Sequence, residues 1–181
     1  MICIVDNQNK IINIVNIPYP TAENERIYYP WCNLWEQYTE QEPLEYAKRR
    51  KLSEVDQWTA SKIVGGFISS ASGQAVHYDS DKDTQLTMQG IALNVNTPLF
   101  EQEYPNGCPV RGYKYTVSKD SAKELIKDNN KEIFMLSSEQ VMRWCADLSL
   151  HIGECKKQGW IKQAEVNKCT SIEELNKIVL E

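Results

Sequence analysis

The sequence lacks several features that mark particular functional classes. None of its apolar runs approaches the roughly 20 residues that span a bilayer, and the opening residues MICIVD contain no basic segment followed by a long apolar one. We therefore expect no signal peptide and no membrane partner. The 181 residues also contain no P-loop, no Gly-x-Gly-x-x-Gly fingerprint and no Gly-x-Ser-x-Gly elbow. The sequence thus has no motif for nucleotide binding or for a serine nucleophile.

The sequence also has few histidines, no closely spaced cysteine pair and no excess of positive charge. There are two histidines, and the six cysteines form no Cys-x-x-Cys pair, which is typical of reduced, buried thiols in a protein made in the cytosol. The 20 Lys and Arg residues against 25 Asp and Glu residues give a formal net charge of −5 at pH 7. Nucleic-acid-binding proteins usually carry an excess of Lys and Arg. We therefore predict no nucleic-acid partner.

An Asp-rich stretch has the residue types of a calcium loop. Asp79, Asp81 and Asp83 match the first ligands, but Thr84 stands where the loop needs Gly and Gly90 stands where it needs a bidentate Glu. We interpret the three carboxylates as turn-forming and helix-capping groups.

The two histidines have a similarly weak chemical signal. His151 and Cys155 are one helical turn apart, but they supply only two ligands of the four that a zinc site needs. His77 stands in a predicted strand, without a neighbouring nucleophile signature. The sequence therefore predicts no catalytic residues, no metal, no cofactor and no enzymatic activity.

The first 42 residues predict a β-hairpin followed by an irregular arm. The apolar runs Ile2–Val5 and Ile11–Val15 flank a polar turn, and from residue 17 to 43 prolines alternate with aromatic residues, which disfavours helix. The arm either folds back over the local core or docks on another subunit, and we favour docking because Trp and Tyr dominate interface energetics. The predicted partner-binding residues are Tyr28, Tyr29, Trp31, Trp35 and Tyr38.

Residues 43–117 predict two helices joined by a β-hairpin. Pro43 can start a helix that runs to the glycine pair at 65 and 66, and two short β-prone runs then flank a Ser/Gly turn. Asp81 or Asp83 can cap a second helix that ends before Asn96. The Pro- and Gly-rich residues from 96 predict a loop, followed by a strand at Tyr113–Val117.

The C-terminal third is mostly helical in its pattern. We predict a short helix from Ser118 or Asp120, a strand at Glu132–Leu136, and a helix capped by Ser137 or Ser138. That helix carries one apolar stripe formed by Val141, Cys145, Leu148, Ile152 and Cys155. We expect Gly159 to break it, Trp160–Lys168 to form another helix, and a capping box at Thr170–Glu173 to open the last one.

These elements predict an α+β fold: an N-terminal β-hairpin with an extended aromatic arm, then a mainly helical domain with an inserted β-hairpin and a C-terminal helical segment. The predicted domains are residues 1–42 and 43–181.

Residues 44–181 resemble a known family. The segment Gly66–Gly73 reads GFISSASG after a predicted helix, His77–Ser80 reads HYDS, and Asp83–Leu86 opens the next helix. Together with a capped helix that contains His151 and a closing helix at Thr170–Leu175, this pattern is similar to a domain of unknown function common in tailed-bacteriophage tail-fibre and tail-associated proteins. The pattern departs from that family between residues 96 and 132.

The resemblance implies a structural virion protein, an adaptor or a fibre- or baseplate-associated component of the tail that acts through protein–protein contacts. Its partners would be other virion proteins and further copies of itself in a symmetric assembly. It would be made in the bacterial host cytoplasm and would reside in the tail region of the virion. Two alternatives are a tail-fibre assembly chaperone absent from the mature particle and a small tail enzyme that acts on glycans.

Overall fold

The computed structural model describes residues 1–16, 20, 22–34, 36–117 and 125–181. Contacts within the chain group these residues into two compact units: unit 1 is Met1–Glu54 with Gln163–Glu181, and unit 2 is Val55–Lys162. The boundary that we predicted between residues 42 and 43 separates two domains that fold independently. Grouping by contacts does not test independent folding, so this boundary stays a prediction. Separate helical and strand segments confirm the α+β class.

The elements in chain order are β1 (Ile2–Val5), β2 (Ile11–Val15), β3 (Glu25–Ile27), α1 (Leu44–Val64), β4 (Phe67–Ser69), β5 (Val76–Tyr78), α2 (Lys82–Asn94), α3 (Pro98–Glu103), β6 (Cys108–Val117), β7 (Leu125–Leu136), α4 (Ser138–Lys168) and α5 (Ile172–Asn176).

Unit 1 is built on a three-stranded antiparallel sheet in the order β2–β1–β3. The predicted hairpin of β1 and β2 is confirmed, and Asp6 organises its turn because its carboxylate accepts hydrogen bonds from the backbone N–H groups of Gln8 and Lys10, both at 2.9 Å. β3 pairs with the other side of β1, so the first strand of the chain is the central strand of the sheet. Its core holds the buried residues Cys3, Val5, Ile11, Cys32 and Tyr38.

The predicted first helix and its end are confirmed in α1. Tyr46 and Ala47 both donate to Pro43 O at 3.0 Å, and after the helix Gly66 adopts a φ of 96° that favours glycine. The buried Ser80 hydroxyl accepts from Gly66 N at 2.9 Å and donates to Ile63 O. One side chain therefore holds the end of the helix against the following strands.

Unit 2 contains a four-stranded antiparallel sheet in the order β4–β5–β6–β7. The predicted hairpin of β4 and β5 is confirmed, and it forms one side of this sheet. β6 begins at Cys108, five residues before the predicted strand. Gly112, which we took as a sign of loop, lies inside this strand and makes room for neighbouring side chains: a Cβ at this position would overlap Val76 Cγ1 and lie 2.9 Å from Tyr78 Cδ1. The predicted strand at Glu132–Leu136 is the end of the longer β7.

The residues between 96 and 107 include a helix that we predicted as loop. Thr97 is the N-cap of α3, its hydroxyl accepts from Phe100 N at 3.3 Å, and Pro98 occupies the start of the helix. Proline is compatible with a first helical turn, where its missing N–H has no helical partner. The prediction was wrong because it took this proline as a breaker. The predicted short helix from Ser118 or Asp120 begins outside the described residues.

α4 is a single helix, so the predicted break at Gly159 is wrong. Gly159 is buried against Thr59 of α1, where an added Cβ would overlap Thr59 Oγ1 and lie 3.1 Å from its Cγ2. The glycine therefore permits a close approach of two helices and does not end one. The predicted stripe is confirmed in part of its length: Val141 and Leu148 are buried in the core of unit 2 and Cys145 and Ile152 pack against it.

One predicted helix start is confirmed and another is displaced by one residue. Asp81 is the N-cap of α2, since its carboxylate accepts from Asp83 N and Thr84 N at 3.0 Å. The predicted capping box at Thr170–Glu173 is wrong by one residue: Ser171 is the N-cap of α5 and accepts from Glu174 N at 3.2 Å, while the Glu174 carboxylate accepts from Thr170 N at 2.7 Å.

Candidate functional site

The aromatic arm, residues 28–38, folds back over the sheet of unit 1. The rings of Tyr29 and Trp31 are parallel within 1° with centroids 5.0 Å apart, and Trp31 also meets Tyr46 edge-on at 5.9 Å. The indole N–H of Trp31 donates to Thr39 O at 3.0 Å. Of the two alternatives for the arm, folding over the local core is what the structure shows for its described aromatic residues.

Tyr38 is a core residue of this arm. Its side chain is 7% exposed, and its hydroxyl donates to Ile27 O at 2.9 Å. Burial, followed by the nearby Tyr29 hydroxyl, raises the pKa of Tyr38 to about 12. A side chain so enclosed offers little surface to a partner. Partner binding by Tyr38, and by the partly exposed Tyr28, Tyr29 and Trp31, stays a prediction, and Trp35 lies outside the described residues.

The sheet of unit 2 has one covered face and one open face. Phe67, Val76, Tyr78, Phe134 and Leu136 belong to the core that includes residues of α2, α3 and α4. The side chains that alternate with them point to the other side, where the strand register aligns one residue from each strand in a row. The open face consists of Ile68, His77, Arg111, Tyr113, Tyr115, Lys127, Lys131, Ile133 and Met135.

Large apolar side chains on the open face are exposed to solvent. Ile68 is 56% exposed, Ile133 is 65% exposed and Met135 is 51% exposed. Ile133 lies beside Arg111 in the register. Apolar side chains grouped on one sheet face favour contact with another molecule.

A tyrosine and two lysines form the centre of the open face. Lys127 Nζ lies 4.6 Å and Lys131 Nζ 5.3 Å from the centroid of the Tyr113 ring, within the range of cation–π attraction. Lys131 also donates to Asp79, and that hydrogen bond raises the pKa of Lys131. No carboxylate in the described part of the chain forms an ion pair with Arg111 or Lys127. Among the described residues, Arg111 and Lys127 therefore carry positive charges that no ion pair neutralises.

His77 adjoins this centre. Its Nδ1 is 3.4 Å from the Tyr115 hydroxyl, and its ring lies 6.1 Å from that of Tyr113. Burial, followed by the positive charge of Lys127, lowers the pKa of His77 below its ordinary value of 6.5. The ring is consequently neutral at pH 7, and the positive charge of the face comes from its Lys and Arg residues.

The open face was missed in the sequence, although a signal was present. Lys131, Ile133 and Met135 alternate with the buried Phe134 and Leu136. That period of two is typical of a strand with one buried side, but only the end of β7 was predicted. Which four strands lie side by side depends on pairing between distant segments.

Unit 1 also has an acidic groove. This recess of about 1000 Å³ is lined by Asp6, Glu23 and Glu40 together with Arg26 and several Asn residues. The Arg26 guanidinium donates to two backbone carbonyls, Glu23 O at 2.6 Å and Glu25 O at 2.9 Å. The carboxylates of Glu23 and Glu40 belong to exposed residues.

The residues considered as metal ligands have other contacts. Asp79 accepts from Lys131 and Asp81 caps α2. His151 Nε2 donates to Lys62 O at 3.2 Å, and Cys155 Sγ is 3.7 Å from that nitrogen. Within the described ranges, no group of three or more His, Cys, Asp or Glu side chains is placed to hold a metal ion.

None of the helices in the described ranges is long and apolar enough to cross a membrane. Comparisons with known proteins return no similarity: no family model, no curated protein and no solved structure matches the chain.

Proposed function

We propose that this chain is a structural component of a tailed-bacteriophage tail, an adaptor associated with the fibre or the baseplate, that acts through protein–protein contacts. Its support is the resemblance of residues 44–181 to tail-associated proteins. The residues that carry it, Gly66–Gly73 and His77–Ser80, include all of β4 and two of the three residues of β5. They form part of the sheet that presents the open face.

The observation that carries the binding part of the proposal is the open face itself. Exposed Ile68, Ile133 and Met135 share a sheet face with a tyrosine that has two lysines at its ring. Aromatic, methionine and cationic groups on one exposed surface are suited to holding a protein partner.

Such a component would be made in the bacterial host cytoplasm and then retained in the tail region of the virion. It would contact other virion proteins and repeat in a symmetric assembly.

Quantitative mass spectrometry of purified virions tests this proposal. The expected result is a fixed ratio between this chain and a major tail protein of the same particle, unchanged through a second density-gradient purification. The lysate of infected cells is the matched control, since it shows that the chain is expressed. Abundant chain in the lysate with none in the particles would contradict the proposal and would support the assembly chaperone.

A further inference from the structure

We infer that the open face of unit 2 binds the acidic groove of unit 1 in a second copy of this chain, so that copies associate head to tail. The inference deepens the proposed function, on which it rests for the expectation of repeated copies.

The electrostatics of the open face favour an anionic partner surface. Arg111, Lys127 and Lys131 contribute three positive charges, and Asp79 is the single carboxylate that pairs with them in the described ranges. Lys127 and Lys131 are held at Tyr113, so their positions are ordered before a partner arrives. Pre-positioned cations beside exposed apolar groups fit a protein surface that offers carboxylates.

The same chain supplies such a surface. Residues 1–42 contain six Asp and Glu residues against two Lys and Arg residues. Asp6, Glu23 and Glu40 line one groove, where Arg26 is occupied by backbone carbonyls. Unit 1 as a whole contains 12 Asp and Glu residues against 8 Lys and Arg residues, so most of the acidic excess of the chain lies in the unit that does not carry the open face.

Other occupants fit these charges less well. Two open faces packed on each other would place Arg111 and Lys127 against their own copies, and like charges in contact are unfavourable. A nucleic acid would match the cations, but it would leave Ile133 and Met135 without apolar contacts and would be repelled by the net charge of −5.

A contact between two different surfaces is heterologous. Each copy then offers one open face and one groove, so the assembly closes into a ring when the rotation between neighbours permits closure, and otherwise it grows as a filament.

Charge reversal on each side tests the contact in purified protein by sedimentation velocity. Arg111→Glu with Lys127→Glu reverses the face, and Glu23→Lys with Glu40→Lys reverses the groove; these four side chains are exposed. We expect wild-type chain to associate at low salt, and each double variant to raise the dissociation constant at least tenfold. Raising NaCl from about 0.05 M to about 0.5 M shortens the Debye length to about 4 Å and should weaken association of the wild type.

An equimolar mixture of the two double variants gives the decisive measurement. Reversed faces then meet reversed grooves, so the mixture should associate although neither variant does so alone. Lys82→Glu with Lys156→Glu is the matched control, because it makes the same change in net charge at exposed sites away from the open face, and it should associate like the wild type.

A monomeric wild type at low salt, or a mixture that stays monomeric, would overturn the inference. Equal loss of association in the control pair would also overturn it, because net charge and not the open face would then be responsible. None of these results bears on the presence of the chain in virions, so the proposed function is tested separately.

Discussion

Gly159 of α4 permits the close contact with Thr59 of α1, and replacing it with alanine tests that packing directly. Alanine is favoured over glycine inside a helix by roughly 1 kcal/mol. Against this gain, the new methyl group overlaps Thr59 Oγ1 and lies 3.1 Å from Thr59 Cγ2. Overpacking in a close-packed interior costs roughly 1–3 kcal/mol. Gly159→Ala should therefore be neutral to destabilising by about 2 kcal/mol.

The same helix offers a matched control at Gly153. A Cβ there meets no atom within 4 Å, and the residue is exposed. Gly153→Ala should accordingly stabilise the protein by about 0.5–1 kcal/mol through helix propensity alone. The two substitutions are chemically identical, so the difference between their free energies of unfolding, expected at about 1–3 kcal/mol, isolates the helix contact.

Thr59→Ala provides the reverse test. It removes Oγ1 and Cγ2 and leaves Cβ, which would lie 3.3 Å from the added methyl group. In that background Gly159→Ala should become neutral or stabilising, with a coupling energy of roughly 1–3 kcal/mol in a double-mutant cycle. Urea unfolding followed by circular dichroism and tryptophan fluorescence gives the required free energies. If Gly159→Ala stabilises the wild type as much as Gly153→Ala does, the close approach of the helices is refuted.

Gly66→Ala should destabilise the protein by roughly 2 kcal/mol or more in urea unfolding, because alanine resists the φ of 96° and its Cβ would lie 2.8 Å from Tyr78 O. Gly73→Ala is the control: its φ is 87° but no atom lies within 4 Å of the added Cβ, so it should cost only about 1 kcal/mol. Equal losses of stability in the two variants would refute the clash between the Cβ at residue 66 and Tyr78 O. Ser80→Ala should cost roughly 1–3 kcal/mol, since Gly66 N–H and the Ile63 carbonyl lose their partner, and an unchanged melting temperature would contradict this role. The pKa of His77 is lowered on folding, so its contribution to stability is complete above pH 6.5 and is lost as the pH falls below 6.5 toward the folded pKa. His77→Gln should make stability less dependent on pH between about 7.5 and 5, and an identical pH dependence in the variant would refute the shift.

Local patterns predicted much of the fold. The alternation of Ile2–Val5 and Ile11–Val15, Pro43 at the start of α1 and Asp81 at the start of α2 all act within a few residues of the structure they specify. Capping and turn formation depend on neighbours along the chain, so they are readable from one sequence.

The wrong predictions concern residues whose role depends on contacts with distant parts of the chain. Gly112 and Gly159 were taken as signs of loop or helix end, whereas each makes room for a side chain elsewhere in the chain. A glycine that ends a helix and a glycine that admits a neighbouring side chain are identical in sequence. The fold must be known before the two cases can be separated.

The same distinction between local patterns and distant contacts applies to the candidate site. Aromatic residues in the arm were recognisable, but whether Tyr38 faces a core or a partner depends on how the arm packs against β1 and β3. The open face of unit 2 needs the neighbouring positions of His77, Tyr113 and Lys131, which come from three separate strands. Residues so far apart in the chain give no local pattern.

The division of the chain has a consequence for its synthesis. Unit 2 is one continuous stretch, whereas unit 1 takes residues from both ends, and Lys48 reaches Asn167 O at 3.4 Å. At about 5–20 residues per second, Gln163–Glu181 is synthesised within roughly 1–4 s after the last residue of unit 2 has been added. Unit 1 therefore cannot complete its own contacts until the whole of unit 2 has been synthesised.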